Sequence, residues 1–180
     1  ARGLTVTVST VSKDLFPALR IGWVAGSEHM LEPMAAVKRF MDLETSPLLQ
    51  AALAEFMRRG GYDRHLRSLR VELQKRHLAL QSACAEHLPE GCRITNPDGG
   101  FVAWLEMPGK GQGDQLAELA VERGVRVVPG RAFDLDGAAS PGVRLSLTRA
   151  SVDQIHQGVR VLADCARELL QVHAPAQTFL

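Results

Sequence analysis

Lys13 closes the run Ser9-Thr10-Val11-Ser12-Lys13, and Arg20 follows seven residues later in Asp14-Leu15-Phe16-Pro17-Ala18-Leu19-Arg20. A lysine attacks an aldehyde only after its amine has lost a proton, and partial burial or neighbouring positive charge favours that loss. Thr10 and Ser12 offer hydroxyl donors, and Arg20 offers a planar guanidinium fork suited to phosphate. One loop thus presents an amine able to condense with an aldehyde and a clamp for a phosphate. On spacing alone, the reading that prevails is a solvated surface lysine among turn-forming hydroxyls.

Other clusters carry less chemistry. The stretch from Arg58 to Arg76 holds seven Lys/Arg against Asp63 and Glu72, but its helical spacing and apolar face read as a solvated helix surface. It has no interleaved aromatics for single-strand binding. Pro108-Gly109-Lys110-Gly111-Gln112-Gly113 lacks Walker spacing and reads as a connection. The histidines form no metal pattern, and no metal site is expected. Cys84, Cys92 and Cys165 make no Cys-x-x-Cys pair. Cys84 and Cys165 fall in apolar helical patterns as small core residues. Trp23 and Trp104 are expected in or near the core.

The elements that must position these groups follow from periodicity. Leu4, Val6 and Val8 alternate with Thr5, Thr7 and Ser9 as a strand, and Arg20 to Ala25 reads as a second. A helix is predicted from Glu28 to Leu43, with Pro33 tolerated near its start. Ser46 should cap another that has Pro47 at its first position and ends at Gly60-Gly61. The longest helix is expected over Tyr62 to Leu88, with Leu66, Leu69, Leu73, Leu80 and Cys84 on one face. Then come a strand over Phe101 to Met107, a glycine-rich loop from Gly109 to Gly113, and a helix from Asp114 to Arg123. Strands at Val125–Val128 and Val143–Leu147 follow, then a helix that Ser151 caps and that runs to about Val172. Ala174 to Leu180 reads as a loose tail. From residue 62 onward the order predicts a small α/β layer with helices on one side of a short sheet.

The 180 residues, 46% hydrophobic and 23% charged, have ordinary globular composition. Their net charge of +1 gives no field demanding nucleic acid or an acidic membrane. No apolar run approaches a membrane span, and no signal-peptide pattern opens the chain. A reducing, cytoplasmic compartment is expected. The abrupt opening Ala1-Arg2-Gly3 suggests a truncated or processed chain.

Five motifs in order give the chain a resemblance. The Ser/Thr-rich run to Lys13, with Leu15-Phe16-Pro17-Ala18-Leu19-Arg20-Ile21-Gly22-Trp23, resembles the cofactor-lysine signature of fold-type I, class I/II aminotransferases. Gly61-Tyr62-Asp63-Arg64-His65-Leu66-Arg67 is similar to the start of that family's long helix. Gly99-Gly100-Phe101-Val102-Ala103-Trp104 is similar to its Gly-Gly strand. Gly124-Val125-Arg126-Val127-Val128-Pro129-Gly130 with Phe133 matches its Pro-Gly turn, and Val143-Arg144-Leu145-Ser146-Leu147 matches its arginine strand. The Leu-Phe-Pro-Ala-Leu-Arg form most resembles the aminotransferase-like domain of MocR/GntR-type transcriptional regulators. The 2-aminoadipate and kynurenine aminotransferase group more often carries Gly where Ala18 stands.

The resemblance implies the C-terminal small α/β domain of a fold-type I aminotransferase, plus the last strands of its large domain. Residues 1–27 would end the cofactor-binding domain, 28–60 would be connecting helices, and 61–180 the small domain. Lys13 would carry pyridoxal 5'-phosphate, with Thr10, Ser12 and Arg20 on its phosphate. Arg144 would bind a substrate carboxylate, with a strand-edge arginine paired to an acid as the alternative and Arg149 as a competitor. The family's ring-stacking and ring-nitrogen partners lie upstream of its cofactor lysine. This chain alone is therefore expected to hold the cofactor weakly or not at all, and to be inactive. Asp14 stands where a small or hydroxyl residue is usual, and Ser9 and Val11 where Gly and an aromatic are common. An acid beside Lys13 is expected to favour its protonated form.

In function, the resemblance implies a domain sensing the cofactor or an amino acid or amine effector, with DNA bound through a domain outside this chain. The alternative is part of a transaminase acting on an amino acid and a 2-oxo acid. A homodimer is expected in either case, with apolar surface exposed within residues 1–60.

Overall fold

The computed structural model describes residues 3–172, so the tail predicted from Ala174 to Leu180 lies outside the described residues. The chain divides into two compact units, one up to Leu69 and one from Arg70 onward.

In the first unit, β1 (Thr7–Thr10) and β2 (Gly22–Ala25) pair antiparallel, with Thr7 opposite Ala25 and Thr10 opposite Gly22. β2 starts later than the alternation predicts. Pro17 opens a 3-10 turn over Pro17–Leu19, and Arg20 ends it in the left-handed region at φ +53°. A residue there cannot also be extended, so the strand begins beyond it. Helix α1 (Glu28–Asp42) contains Pro33, close enough to the start that its missing N–H costs little. Helix α2 (Pro47–Arg58) follows the expected cap, the Ser46 hydroxyl accepting the Leu49 N–H at 3.5 Å.

The core of this unit is small. Val11, Ile21 and Leu53 are buried, with Leu15, Leu19, Leu49, Met57 and Tyr62 packed around them. Apolar surface is left open as expected: α1 has no buried residue, and Phe40 is 92% exposed. Trp23 departs from expectation, being 45% exposed rather than in a core. It belongs to a strand whose residues are all exposed, so aromatic character alone does not bury it.

Helix α3 (Gly61–His87) begins in the first unit and continues into the second. There β3 (Arg93–Ile94), β4 (Val102–Glu106), β5 (Val128–Pro129) and β6 (Gly142–Ser146) form one antiparallel sheet in the order β3-β4-β6-β5. Ala103 and Leu105 alternate with less buried neighbours on β4, and buried Val143 and Leu145 flank the less buried Arg144 on β6. The sheet therefore turns one face to the core. Against that face pack Leu80, Ala83 and Cys84 of α3, Leu116 and Ala120 of α4 (Gln112–Glu122), and Val159, Leu162 and Cys165 of α5 (Val152–Val172). Each fully buried leucine here is worth about 1.5–3 kcal/mol of transfer free energy. Cys84 and Cys165 are core residues, as their spacing predicts.

One strand and two boundaries differ from the sequence expectation. The periodicity gives no sign of β3, because two residues are too few to show a period. Helix α4 starts at Gln112, inside the predicted loop, where the Gln112 side chain accepts the Gly109 N–H at 2.8 Å. β5 begins at Val128, not Val125. The Val125 N–H instead bonds Ala120 O at 2.9 Å and the Gly124 N–H bonds Val121 O at 3.1 Å, with Gly124 at φ +81°. That pattern is a Schellman closure of α4 and holds Val125 out of the sheet. At α5, the Ser151 hydroxyl accepts the Gln154 N–H and the Gln154 side chain accepts the Ser151 N–H, a reciprocal capping box.

Candidate functional site

The β1–β2 connection carries Lys13 and is closed from within. The Val11 N–H bonds Ile21 O at 3.4 Å, and the Leu15 N–H bonds Val11 O at 3.0 Å. Burial of Val11 and Ile21 anchors both ends. Lys13 lies between them, exposed, with no hydrogen bond or ion pair among the described residues.

Thr10 organises this loop. Its hydroxyl oxygen lies 2.7 Å from Ile21 O, 3.0 Å from the Ser12 hydroxyl, and accepts the Ser12 N–H at 3.1 Å. A hydroxyl has one proton. The short contact to the Ile21 carbonyl, which can only accept, claims it. With that proton committed, the 3.0 Å contact between the two hydroxyls leaves Ser12 as the donor to Thr10.

Arg20 stands one residue before Ile21, exposed, its guanidinium making, among the described residues, a single 3.4 Å contact to Pro17 O. A non-glycine residue at φ +53° costs on the order of 1 kcal/mol and persists where the surroundings fix the conformation. The backbone bond from Arg20 N–H to Pro17 O at 3.2 Å and the buried Ile21 do so here.

Asp14 does not behave as the sequence suggests. Instead of pairing with Lys13, its Oδ2 accepts the Tyr62 hydroxyl at 2.7 Å, and its carbonyl oxygen lies 2.6 Å from His65 Nε2. Its Oδ1 is buried without a partner.

The second unit holds Arg144 near the middle of β6, between Trp104 of β4 and Val128 of β5. Since Val143 and Leu145 face the core, Arg144 and Trp104 share the opposite face. The guanidinium carbon lies 4.9 Å from the centre of the Phe133 ring, which meets Trp104 edge-on with centroids 5.8 Å apart. Arg144 has no ion pair among the described residues, and its Nε is buried without a partner. The alternative of an arginine paired to an acid is therefore not what the structure shows. Arg149 is exposed beyond the end of the strand.

Two parts of this arrangement escaped the sequence reading. Phe133 belongs to a sequence motif that gives no sign of its place under Arg144. The sequence makes Asp114 one residue of an amphipathic helix. It is 5% exposed and accepts the Arg131 N–H at 3.2 Å and the Ser140 N–H at 2.9 Å. One buried carboxylate thus ties the Gly130–Phe133 turn to the segment entering β6. The turn also needs Gly130, since a Cβ there would lie 2.0 Å from Ser140 Oγ. Gly142 is required in the same way, with Trp104 Nε1 only 2.2 Å from where its Cβ would stand.

A family model for aminotransferase class I and II matches residues 1–162. The aromatic-amino-acid aminotransferase 1 of Thermococcus litoralis is 30% identical, over 92% of this chain and 40% of that protein. An uncharacterized HTH-type transcriptional regulator of Bacillus subtilis, YisV, is 31% identical, over 93% of this chain and 34% of its own length. Among solved structures, the multiple substrate aminotransferase of Thermococcus profundus superposes with a TM-score of 0.90 at 32% identity, over 96% of this chain and 43% of that one. The chain spans about two fifths of the length of the aminotransferases it matches and one third of the regulator. It belongs to the aminotransferase class I and II family.

Proposed function

We propose that this chain is the C-terminal part of a pyridoxal-phosphate-binding, aminotransferase-like domain that serves a MocR/GntR-type transcriptional regulator as its cofactor- and effector-sensing part. On this reading residues 1–27 end the cofactor-binding domain, 28–60 connect, and 61–180 form the small domain. The Leu15-Phe16-Pro17-Ala18-Leu19-Arg20 run and the regulator among the relatives support it. DNA contact and a homodimeric, cytoplasmic protein are part of the same proposal, the DNA being bound outside this chain.

The observation that carries the cofactor assignment is the unpaired Lys13 amine in a loop built by Thr10 and ending at Arg20. The residues fit the group: an amine for its aldehyde, and the Ser12 hydroxyl and Arg20 guanidinium for its phosphate. When bound, pyridoxal phosphate supplies the electron sink. Lys13 holds it and can then move a proton at the α-carbon of an amine. Arg144, unpaired and stacked on Phe133, receives the carboxylate of an amino acid effector in a two-pronged, charge-assisted pair.

A transaminase is the second reading, favoured by the matches to the two Thermococcus enzymes and using the same residues. Transfer of a labelled amino group from amino acids to 2-oxo acids by the full-length protein separates the two. Turnover makes it an enzyme, whereas amino acid binding without transfer supports the sensor.

The cofactor assignment is tested by adding excess pyridoxal phosphate to the full-length protein, reducing with borohydride and mapping the modified lysines; this chain alone is expected to give no stoichiometric adduct on Lys13. Label concentrated on Lys13 over Lys38, Lys75 and Lys110, and lost in Arg20→Ala, is the expected result. Label on the other three that spares Lys13 rejects it.

A further inference from the structure

Asp14 is the residue after Lys13, and an uncommitted carboxylate there would pair with the lysine ammonium and hold it charged. The structure commits that carboxylate elsewhere. Tyr62 and His65, three residues apart on one face of the first turns of α3, bond its Oδ2 at 2.7 Å and its backbone oxygen at 2.6 Å. A carbonyl oxygen only accepts, so His65 carries a proton on Nε2 in this contact. Among the described residues, Tyr62 and His65 are the titratable side chains that bond Asp14, and the small core beside the loop is apolar, built on Val11, Ile21 and Leu53. The remaining oxygen, Oδ1, is buried, so freeing the carboxylate requires the loop to open.

We infer that Tyr62 and His65 are positioning residues: they hold Asp14 against α3 and keep its charge off the Lys13 amine. The clasp reconciles an acid at position 14 with a nucleophilic amine at position 13. The significance of this inference rests on Lys13 being the cofactor-bearing amine, as proposed above.

The test measures the amine without the cofactor. The chain is treated with formaldehyde and cyanoborohydride over a series of pH values, and methylation of Lys13 relative to Lys75 is read by mass spectrometry. In Tyr62→Phe, the Lys13 profile is expected to move upward by about one pH unit, with roughly tenfold less labelling at neutral pH, while Lys75 is unchanged. Adding Asp14→Asn to that variant should restore the wild-type profile, which a purely structural defect would not do. Asp14→Asn alone should leave Lys13 labelling within about twofold of wild type, because its charge is already withheld.

An unmoved profile in Tyr62→Phe, or a double variant that fails to recover, overturns the inference. If Tyr62→Phe does not fold, Asp14→Asn decides alone: labelling increased severalfold overturns the inference, and unchanged labelling supports it. Since no pyridoxal phosphate is used, failure of the cofactor assignment and failure of the clasp are separate results.

Discussion

The guanidinium of Arg144 rests 4.9 Å from the centre of the Phe133 ring and has no acidic partner among the described residues. A stacked cation with no ion pair among the described residues, on a strand face turned away from the core, contributes little to the fold. The stack is worth about 0.5–2 kcal/mol, and no buried ion pair is broken by removing it. Arg144→Met is therefore expected to change the free energy of unfolding by less than about 2 kcal/mol. In the full-length protein it should weaken amino acid binding by tenfold or more, consistent with about 1.5–3 kcal/mol for a charged hydrogen bond. Urea denaturation and calorimetric titration check the two halves. A large loss of stability with binding intact would contradict the assignment.

Gly142→Ala should destabilise the second unit by about 1–3 kcal/mol, because the new methyl group would stand 2.2 Å from Trp104 Nε1. Trp104 must then leave its place beside Phe133, so a change in tryptophan emission should accompany the lower denaturation midpoint. A variant as stable as the parent, with unchanged emission, would place Trp104 elsewhere.

Asp114→Ala leaves the amides of Arg131 and Ser140 without their acceptor. A loss of about 1–3 kcal/mol is expected, with faster hydrogen exchange at those two amides ahead of the rest of the unit. Uniform acceleration throughout the unit would show a global defect rather than a released turn.

Alkaline pH should act through the buried thiols. Burial pushes Cys84 up to about 11, and Cys92 and Cys165 are raised for the same reason. A thiol raised on folding prefers its neutral form in the native state. Its stabilising contribution is complete below the unfolded value of 9.0 and is lost as pH climbs through the folded value near 11. Unfolding free energies measured between pH 8 and about pH 11 should fall, and Cys84→Ala should flatten that decline. A decline equally steep in the variant would assign the effect to other groups.

Much of the second unit was legible before any coordinates. The apolar run from Phe101 to Met107 and the alternation from Val143 to Leu147 announce β4 and β6, and Ser151 announces the start of α5. The unread parts depend on interactions between residues distant in sequence. Two-residue β3 exists only because Arg93 and Ile94 meet Glu106 and Leu105. Burial of Asp114 depends on Arg131 and Ser140, 17 and 26 residues away. At the candidate site, Lys13 and Arg20 stood out by residue type and motif. The turning of Asp14 toward Tyr62 involves a partner 48 residues on and could not be read from the neighbours of Lys13.

The left-handed backbone at Arg20 sets up a conflict for anyone selecting hardier versions of this chain. Glycine or asparagine would relax that turn, so screening for heat resistance alone should enrich them at position 20. Those winners would have discarded the one guanidinium in the lysine loop, so, if Arg20 holds a phosphate as proposed, thermal robustness and grip on an anion would separate within a single codon.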